Sequence, residues 1–136
     1  MSPELMLVVA LVTVITLFVV ALAVRRLPKR VKSVQYVKKW RDIQKLCSNK
    51  DDWSHAIIHA DMLLDEVLRK KKLSGKTMGE RMVNAQGRFS VNDAVWDAHK
   101  LANAIRQDGT KTIKEDSVKN ALVAFRQALR DLGALK

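Results

Sequence analysis

The chain has 136 residues, a formal net charge of +11 and one cysteine, Cys47. A single cysteine excludes an intrachain disulfide framework and a thiolate metal cluster, and we interpret Cys47 as a small apolar residue on a helix. The charge is uneven, because residues 25–46 hold nine basic residues and one acidic residue, whereas residues 47–136 hold sixteen basic and twelve acidic residues. This near-neutral balance in the larger part argues against a domain built chiefly to bind nucleic acid.

The first element is an apolar run from Leu5 to Val24, twenty residues without a charge. A helix of this length rises about 30 Å, which is the thickness of the hydrocarbon core of a bilayer. Its only polar side chains are Thr13 and Thr16, whose hydroxyls can bond to carbonyl groups one turn earlier. Residues 1–24 are therefore predicted to form a transmembrane anchor in contact with membrane lipid.

A cleaved signal peptide is the alternative interpretation, since Ala21-Leu22-Ala23 fits the small-residue cleavage pattern. Three features argue against it. No basic residue precedes the apolar run, the run is longer than the usual core of a signal peptide, and Arg25-Arg26 follow it directly. We therefore expect an uncleaved anchor.

The charges beside the anchor predict its direction. Residues 25–32 form a juxtamembrane linker, whose basic side chains are Arg25, Arg26, Lys29, Arg30 and Lys32. The other flank carries only Glu4 and the terminal amine. The positive-inside rule then predicts a single-pass protein of the cell (inner) membrane, with its N-terminus outside and residues 33–136 in the cytoplasm. Each basic residue of the linker also adds about 1 kcal/mol of attraction to anionic lipid headgroups.

Beyond the linker, apolar residues recur at intervals of three and four, which predicts helices rather than strands. The predicted helices span approximately residues 33–47, 52–72, 77–86, 90–108 and 112–132. Two of them begin with apparent capping boxes, Thr77–Glu80 and Thr112–Glu115, and Gly133 is the expected stop of the last one. The fold class is all-α: a single transmembrane helix followed by a small antiparallel bundle of four longer helices and one short helix.

A metal site has little support in the sequence. His55 and His59 stand four residues apart on one predicted helix, but no glutamate follows the first histidine and no third ligand has a clear helical spacing. Two histidines on a polar helix face are usually solvated. We expect no metal, no cofactor and no catalytic group in the chain.

The most informative segment is the helix that contains Trp96 and His99. Side chains spaced by four and three residues form a polar stripe beside the apolar one: Asn92, Trp96, His99, Asn103 and Arg106. This stripe has three interpretations, namely a semi-buried seam inside the bundle with a hydrogen bond to His99, a homodimer face, or a surface for RNA. Together with the adjacent Gln107, its last four members are the candidate binding residues.

The segment Ala98-His99-Lys100-Leu101-Ala102-Asn103-Ala104-Ile105-Arg106-Gln107-Asp108-Gly109 resembles the HEPN superfamily of helical bundles, and the resemblance extends over residues 53–109. It implies a dimerising helical domain of a group with many metal-independent ribonucleases, in which an Arg stands four to six residues before a His. The matching positions are His99, Lys100, Leu101, Asn103 and Ile105. Ala102 stands in place of the Arg, and Gln107 in place of the His.

These two replacements remove the chemistry of the motif. Cleavage through the 2′-hydroxyl needs a group that exchanges protons near neutral pH, which a glutamine amide does not do. It also needs charge stabilisation at the phosphate, which alanine cannot supply. The resemblance thus implies a non-catalytic module that dimerises or docks a protein or RNA partner. The alternatives are a ribonuclease that uses His99 and Arg106 as displaced catalytic residues, and a structural protein that never meets RNA, which the charge balance favours over RNA binding.

Overall fold

The structure is a computed structural model that describes residues 2–27, 33–109 and 112–136. Its described residues form helices and turns and contain no strand, so the all-α prediction is confirmed. The helices are α1 (Pro3–Arg26), α2 (Ser33–Leu46), α3 (Trp53–Lys70), α4 (Met78–Ala85), α5 (Asn92–Asp108) and α6 (Glu115–Asp131). Short 3₁₀ turns cover Lys50–Asp52 and Gln86–Arg88.

Helix α1 is long and apolar enough to cross a membrane, and none of its residues is buried in the structure. A core helix of a soluble protein would be mostly buried, so that explanation does not apply to α1. The Ser2 hydroxyl accepts a hydrogen bond from the backbone N–H of Leu5, which caps the start of the helix. The hydroxyls of Thr13 and Thr16 donate to the carbonyls of Val9 and Val12, each at 2.8 Å, which confirms the bonding expected of them.

Of the predicted linker, only residues 25–27 lie among the described residues. Helix α1 continues to Arg26, two residues past the predicted end of the anchor, and Leu27 follows it. Lys29, Arg30 and Lys32 lie outside the described residues.

Helix α3 is the centre of the helical bundle, because it packs against α2, α4, α5 and α6. Its side chains at three- and four-residue spacing are fully buried: Ile57, Ala60, Leu64 and Val67. Helices α5 and α6 also pack against each other, and Phe125 and Leu129 of α6 are completely buried. The core lies where these helices meet, as the spacing of apolar residues predicts.

Three predicted helix ends agree with the structure. Helix α5 ends before Gly109, which has a positive φ of 71°. At the end of α6, the N–H of Ala134 donates to the carbonyl of Leu129, and the N–H of Gly133 donates to that of Arg130. This is the Schellman arrangement, and Gly133 provides the left-handed residue that it needs, with a φ of 80°. At α4, the Thr77 hydroxyl accepts from the N–H of Glu80, as a capping residue should.

The two predicted capping boxes do not form in full. The Glu80 carboxylate returns to the N–H of Lys76 instead of Thr77, so the first capping box is only half formed. The second does not form, because α6 begins at Glu115 after Lys114, with no side-chain cap. That start places Ile113 and Val118 at the two positions of a hydrophobic staple, and both side chains pack against the core. Core packing therefore overrides the local capping signal.

Cys47 and the end of the short helix also depart from their expected positions. The helix predicted to run to residue 86 ends at Ala85, and a 3₁₀ turn follows it. Cys47 follows the last residue of α2 and is half-buried, and its thiol lies 3.5 Å from the carbonyl oxygen of Ile43. Burial raises the pKa of the Cys47 thiol, so the group stays protonated and behaves as a small apolar residue.

Ser90 does not begin α5 but joins it to the end of α6. Its backbone N–H and its hydroxyl both donate to Asp131 Oδ2 at 2.8 Å, and Gln127 donates to the other carboxylate oxygen at 2.9 Å. Burial alone would raise the pKa of Asp131, but these three hydrogen bonds favour the ionised form and lower it overall.

Asp131→Asn is expected to lower the free energy of unfolding by about 1–2 kcal/mol at neutral pH, because it weakens hydrogen bonds to a charged acceptor. Since the folded pKa lies below the ordinary value of 3.8, the contribution is complete above that pH and is lost as the pH falls through the folded pKa. Denaturation curves of the two proteins should therefore draw together progressively as the pH falls below 3.8. Asp97→Asn, on the exposed face of α5, is the matched control and should change little. An Asp131→Asn deficit that persists unchanged at pH 3 would contradict this account.

Candidate functional site

The polar stripe of α5 turns inward and meets a buried acid of α3. Asp61 is only 1% exposed, and it stands in line with the buried Ile57, Leu64 and Leu68 on the same helix. One carboxylate oxygen lies 2.7 Å from Nδ1 of His99, and the other lies 2.7 Å from Nη2 of Arg106. The acid therefore ties α3 to two positions of α5 that lie about two turns apart.

Asn103 completes a closed network with the same side chains. Its Oδ1 accepts a hydrogen bond from Arg106 Nη1 at 3.0 Å, and its Nδ2 faces His99 Nε2 at 3.2 Å. A carboxylate can only accept, so the contact with Asp61 places a proton on Nδ1 of His99. Nε2 then accepts from the Asn103 amide, and both nitrogens of the imidazole have partners inside the bundle. We call Asp61, His99, Asn103 and Arg106 the polar network.

Trp96 covers one side of the network. Its ring meets the His99 ring edge to face, with the centroids 6.1 Å apart. A side chain placed at Gly79 would approach the Trp96 ring to 3.9 Å, so the start of α4 lies close above it. The network opens on a cleft of about 430 Å³ between α3, α4 and α5, which Thr77 and Met78 also line. Because His99 is 8% exposed, only its edge reaches this cleft.

A second charged cluster fixes the wall of the cleft. Arg81 is 6% exposed, and its guanidinium binds both oxygens of Asp65, at 2.8 and 3.1 Å. Its third nitrogen donates to the carbonyl of Gly75 at 2.8 Å. Arg69 also contacts Asp65, at 2.9 Å. This cluster holds the loop before α4 against α3.

The predicted binding residues therefore have different surroundings. Trp96, His99 and Asn103 lie in the bundle as parts of an intramolecular seam, which is the first of the three interpretations of the stripe. Arg106 is partly exposed beside the cleft, and Gln107 is exposed. Asn92, the remaining member of the stripe, has a buried Oδ1 without a hydrogen-bond partner among the described residues.

The two histidines of α3 do not assemble a metal site. His55 and His59 are both exposed, and among residues 2–27, 33–109 and 112–136 no group of three His, Cys, Asp or Glu side chains is placed to hold an ion. His59 instead lines a groove of about 780 Å³ between α2 and α3.

Sequence analysis missed Asp61, Asp65 and Arg81. Asp61 carries a signal that could have identified it, since it is an acid four residues after Ile57 and three before Leu64, within a buried stripe. A buried acid needs a partner on a neighbouring helix, and the polar stripe of α5 is the matching surface. Arg81 has no comparable signal, because its helix is short and its partners lie on α3 and in a loop.

Comparison of the chain with protein-family models, with curated proteins and with solved structures finds no match. The resemblance to the HEPN superfamily therefore stays a prediction.

Proposed function

We propose that the protein is a membrane-anchored helical interaction module without catalytic activity. In this proposal, α1 spans the cell (inner) membrane once with its N-terminus outside, and residues 33–136 form a cytoplasmic, HEPN-like antiparallel bundle that dimerises or docks a protein partner. The anchor is supported by α1 itself, which has no charged side chain from Leu5 to Val24 and whose residues are all exposed. Exposed apolar surface of this extent is stable in lipid but not in water.

The polar network supports the non-catalytic part of the proposal. A general base must have a free nitrogen that points at its substrate. In this structure, Nδ1 of His99 faces Asp61 and Nε2 faces Asn103, so both nitrogens already have hydrogen-bond partners within the chain. Arg106 forms an ion pair with Asp61. The carboxylate offsets the positive charge that would otherwise stabilise a reacting phosphate.

The ribonuclease alternative has one observation in its favour. An aspartate, a histidine and an arginine do meet beside a single cleft, and this is the group of side chains that displaced catalysis would use. It would require His99 to leave Asn103 and turn Nε2 outwards. The alternative is thus testable through His99 alone.

The full chain with a C-terminal tag provides the test of topology. We expect it to remain in the membrane fraction at alkaline pH, and we expect protease added to intact spheroplasts to spare the tag until the cells are lysed. A soluble chain that starts near Val24 would contradict the anchor.

The same protein, purified in detergent, provides the test of catalysis. Labelled RNA should remain intact with the unchanged protein and equally intact with His99→Ala. Cleavage that is lost in His99→Ala but kept in His59→Ala, which alters an exposed histidine of α3, would establish the ribonuclease alternative instead.

A further inference from the structure

Helix α2 has a basic outer face directly opposite its buried face. The buried side chains are Tyr36, Trp40 and Ile43. On the other side, Val34, Lys38, Arg41 and Lys45 recur at intervals of four, three and four residues, and all four are exposed. At 3.6 residues per turn these four positions fall within an arc of about 60°. We call them the outer face of α2.

The charge of this face is only slightly offset by neighbouring acids. Asp42 is the sole acid of α2, and its carboxylate lies 3.7 Å from Lys45 in a solvent-exposed pair, which is too weak to neutralise the face. Glu66 of α3 contacts Lys39, at 2.7 Å, on the inner side of the helix. Val34 is 83% exposed and gives the face an apolar end.

The position of α2 in the chain keeps this face near the anchor. Ser33 begins α2 seven residues after Arg26, the last residue of α1, and seven residues span at most about 25 Å when fully extended. The 14 residues of α2 have a length of about 21 Å. If α1 spans a bilayer, the basic face therefore cannot move far from the lipid headgroups.

We propose that the outer face of α2 docks on the anionic surface of the bilayer, so that α2 lies along the membrane and the opposite side of the bundle faces the cytoplasm. This inference rests on the proposed anchor. Lys38, Arg41 and Lys45 contact the headgroups, and Val34 enters the interface at the end nearest the anchor. The α5–α6 side stays free for a partner.

An RNA strand is a weaker occupant for the same face. Binding of single-stranded RNA combines cations with exposed aromatic rings on which the bases stack. The aromatic side chains of α2, Tyr36 and Trp40, are both buried on the inner side. A lipid surface requires only the cations and the apolar end that this face presents.

A spin label at the far end of α2 tests the orientation. Ser48 is exposed and follows α2 at the end away from the anchor, so it lies near the headgroups when the helix lies flat. The full chain carrying Cys47→Ser and Ser48→Cys is labelled with a nitroxide and placed in nanodiscs that contain nickel-chelating lipid, with or without phosphatidylserine. We expect strong relaxation by headgroup nickel with phosphatidylserine and weak relaxation in neutral lipid or in 0.5 M salt.

Removing the positive charges of the outer face of α2 should release the helix from the bilayer surface. Each cation favours the docked state about fivefold, so Lys38→Gln, Arg41→Gln and Lys45→Gln together should lower the ratio of docked to undocked protein about 100-fold. The matched control is Lys100→Gln, Lys114→Gln and Arg126→Gln, which removes three exposed cations elsewhere and should leave the signal unchanged. A label attached through Val123→Cys, at an exposed position of α6, should not respond to phosphatidylserine.

The outcomes separate this inference from the anchor. A chain that does not enter the nanodiscs would overturn the anchor. A chain that enters, but whose label at position 48 ignores phosphatidylserine or the three α2 substitutions, would overturn only the docking. A further outcome is RNA binding that requires Lys38, Arg41 and Lys45, while the label at position 48 does not respond to phosphatidylserine. That result would assign the outer face of α2 to RNA and overturn the docking as well.

Discussion

Replacing Asp61 with alanine should lower the free energy of unfolding of the helical bundle by about 3–5 kcal/mol. The side chain is 1% exposed and accepts from His99 and Arg106 at 2.7 Å each. Its removal leaves the Nδ1–H of a buried imidazole without an acceptor, which is costly away from water. It also takes the counter-ion from the guanidinium of Arg106, which is partly exposed and therefore contributes less. Urea denaturation of the full chain in detergent, followed by tryptophan fluorescence, measures the difference.

Asp42→Ala is the matched control, because it removes the same functional group from an exposed pair 3.7 Å long. We expect it to change the free energy of unfolding by less than about 0.5 kcal/mol. In addition, His99→Ala should cost less in the Asp61→Ala background than in the unchanged protein, with a coupling energy of about 1–3 kcal/mol. An Asp61→Ala protein within 1 kcal/mol of the original would show that the network adds little to stability.

The sequence was sufficient to predict the helices, and the reason is the strength of their apolar spacing. Ile57, Leu64 and Val67 of α3 are all fully buried, as their spacing indicates. The spacing of apolar residues shows which face of a helix is removed from water. Burial of that face contributes several kcal/mol per helix. Helix ends were less predictable, because a cap contributes only about 1 kcal/mol and gives way to packing. The staple of Ile113 and Val118 in place of a threonine cap is the clearest case.

The candidate site was only half predictable for a different reason. Trp96, His99, Asn103 and Arg106 share one helix face, so their spacing brings them together in the sequence. Asp61 lies 38 residues before His99, and only the packing of α3 against α5 makes them neighbours. Without knowledge of Asp61, the stripe suits an RNA surface or a dimer face equally well. Once Asp61 is identified as the partner, most of the polar groups of the stripe have partners inside the chain.

Arg81→Met should have the second large effect, lowering the free energy of unfolding by about 3 kcal/mol. Methionine has a similar length and keeps the apolar contacts of the side chain. However, it withdraws two hydrogen bonds from Asp65 and one from the carbonyl of Gly75. Arg69 remains beside Asp65, so that carboxylate keeps one partner, whereas the Gly75 carbonyl loses the bond from Arg81. The exposed Arg88→Met is the matched control and should be nearly neutral.

Hydrogen exchange should distinguish this substitution from Asp61→Ala. Gly75 has a φ of 150°, and a Cβ atom there would lie 2.7 Å from the backbone nitrogen of Arg81, so the loop is held tightly against the start of α4. Without the guanidinium this segment should open locally, and the amides of Lys76 and Glu80, whose bonds depend on the loop, should exchange faster than the amides of α3 and α5. Loss of Asp61 separates two central helices and should instead speed exchange throughout the bundle. Uniform exchange in Arg81→Met would mean that the loop and the core unfold as one unit. In that case, the wall of the cleft could not move independently to admit a ligand.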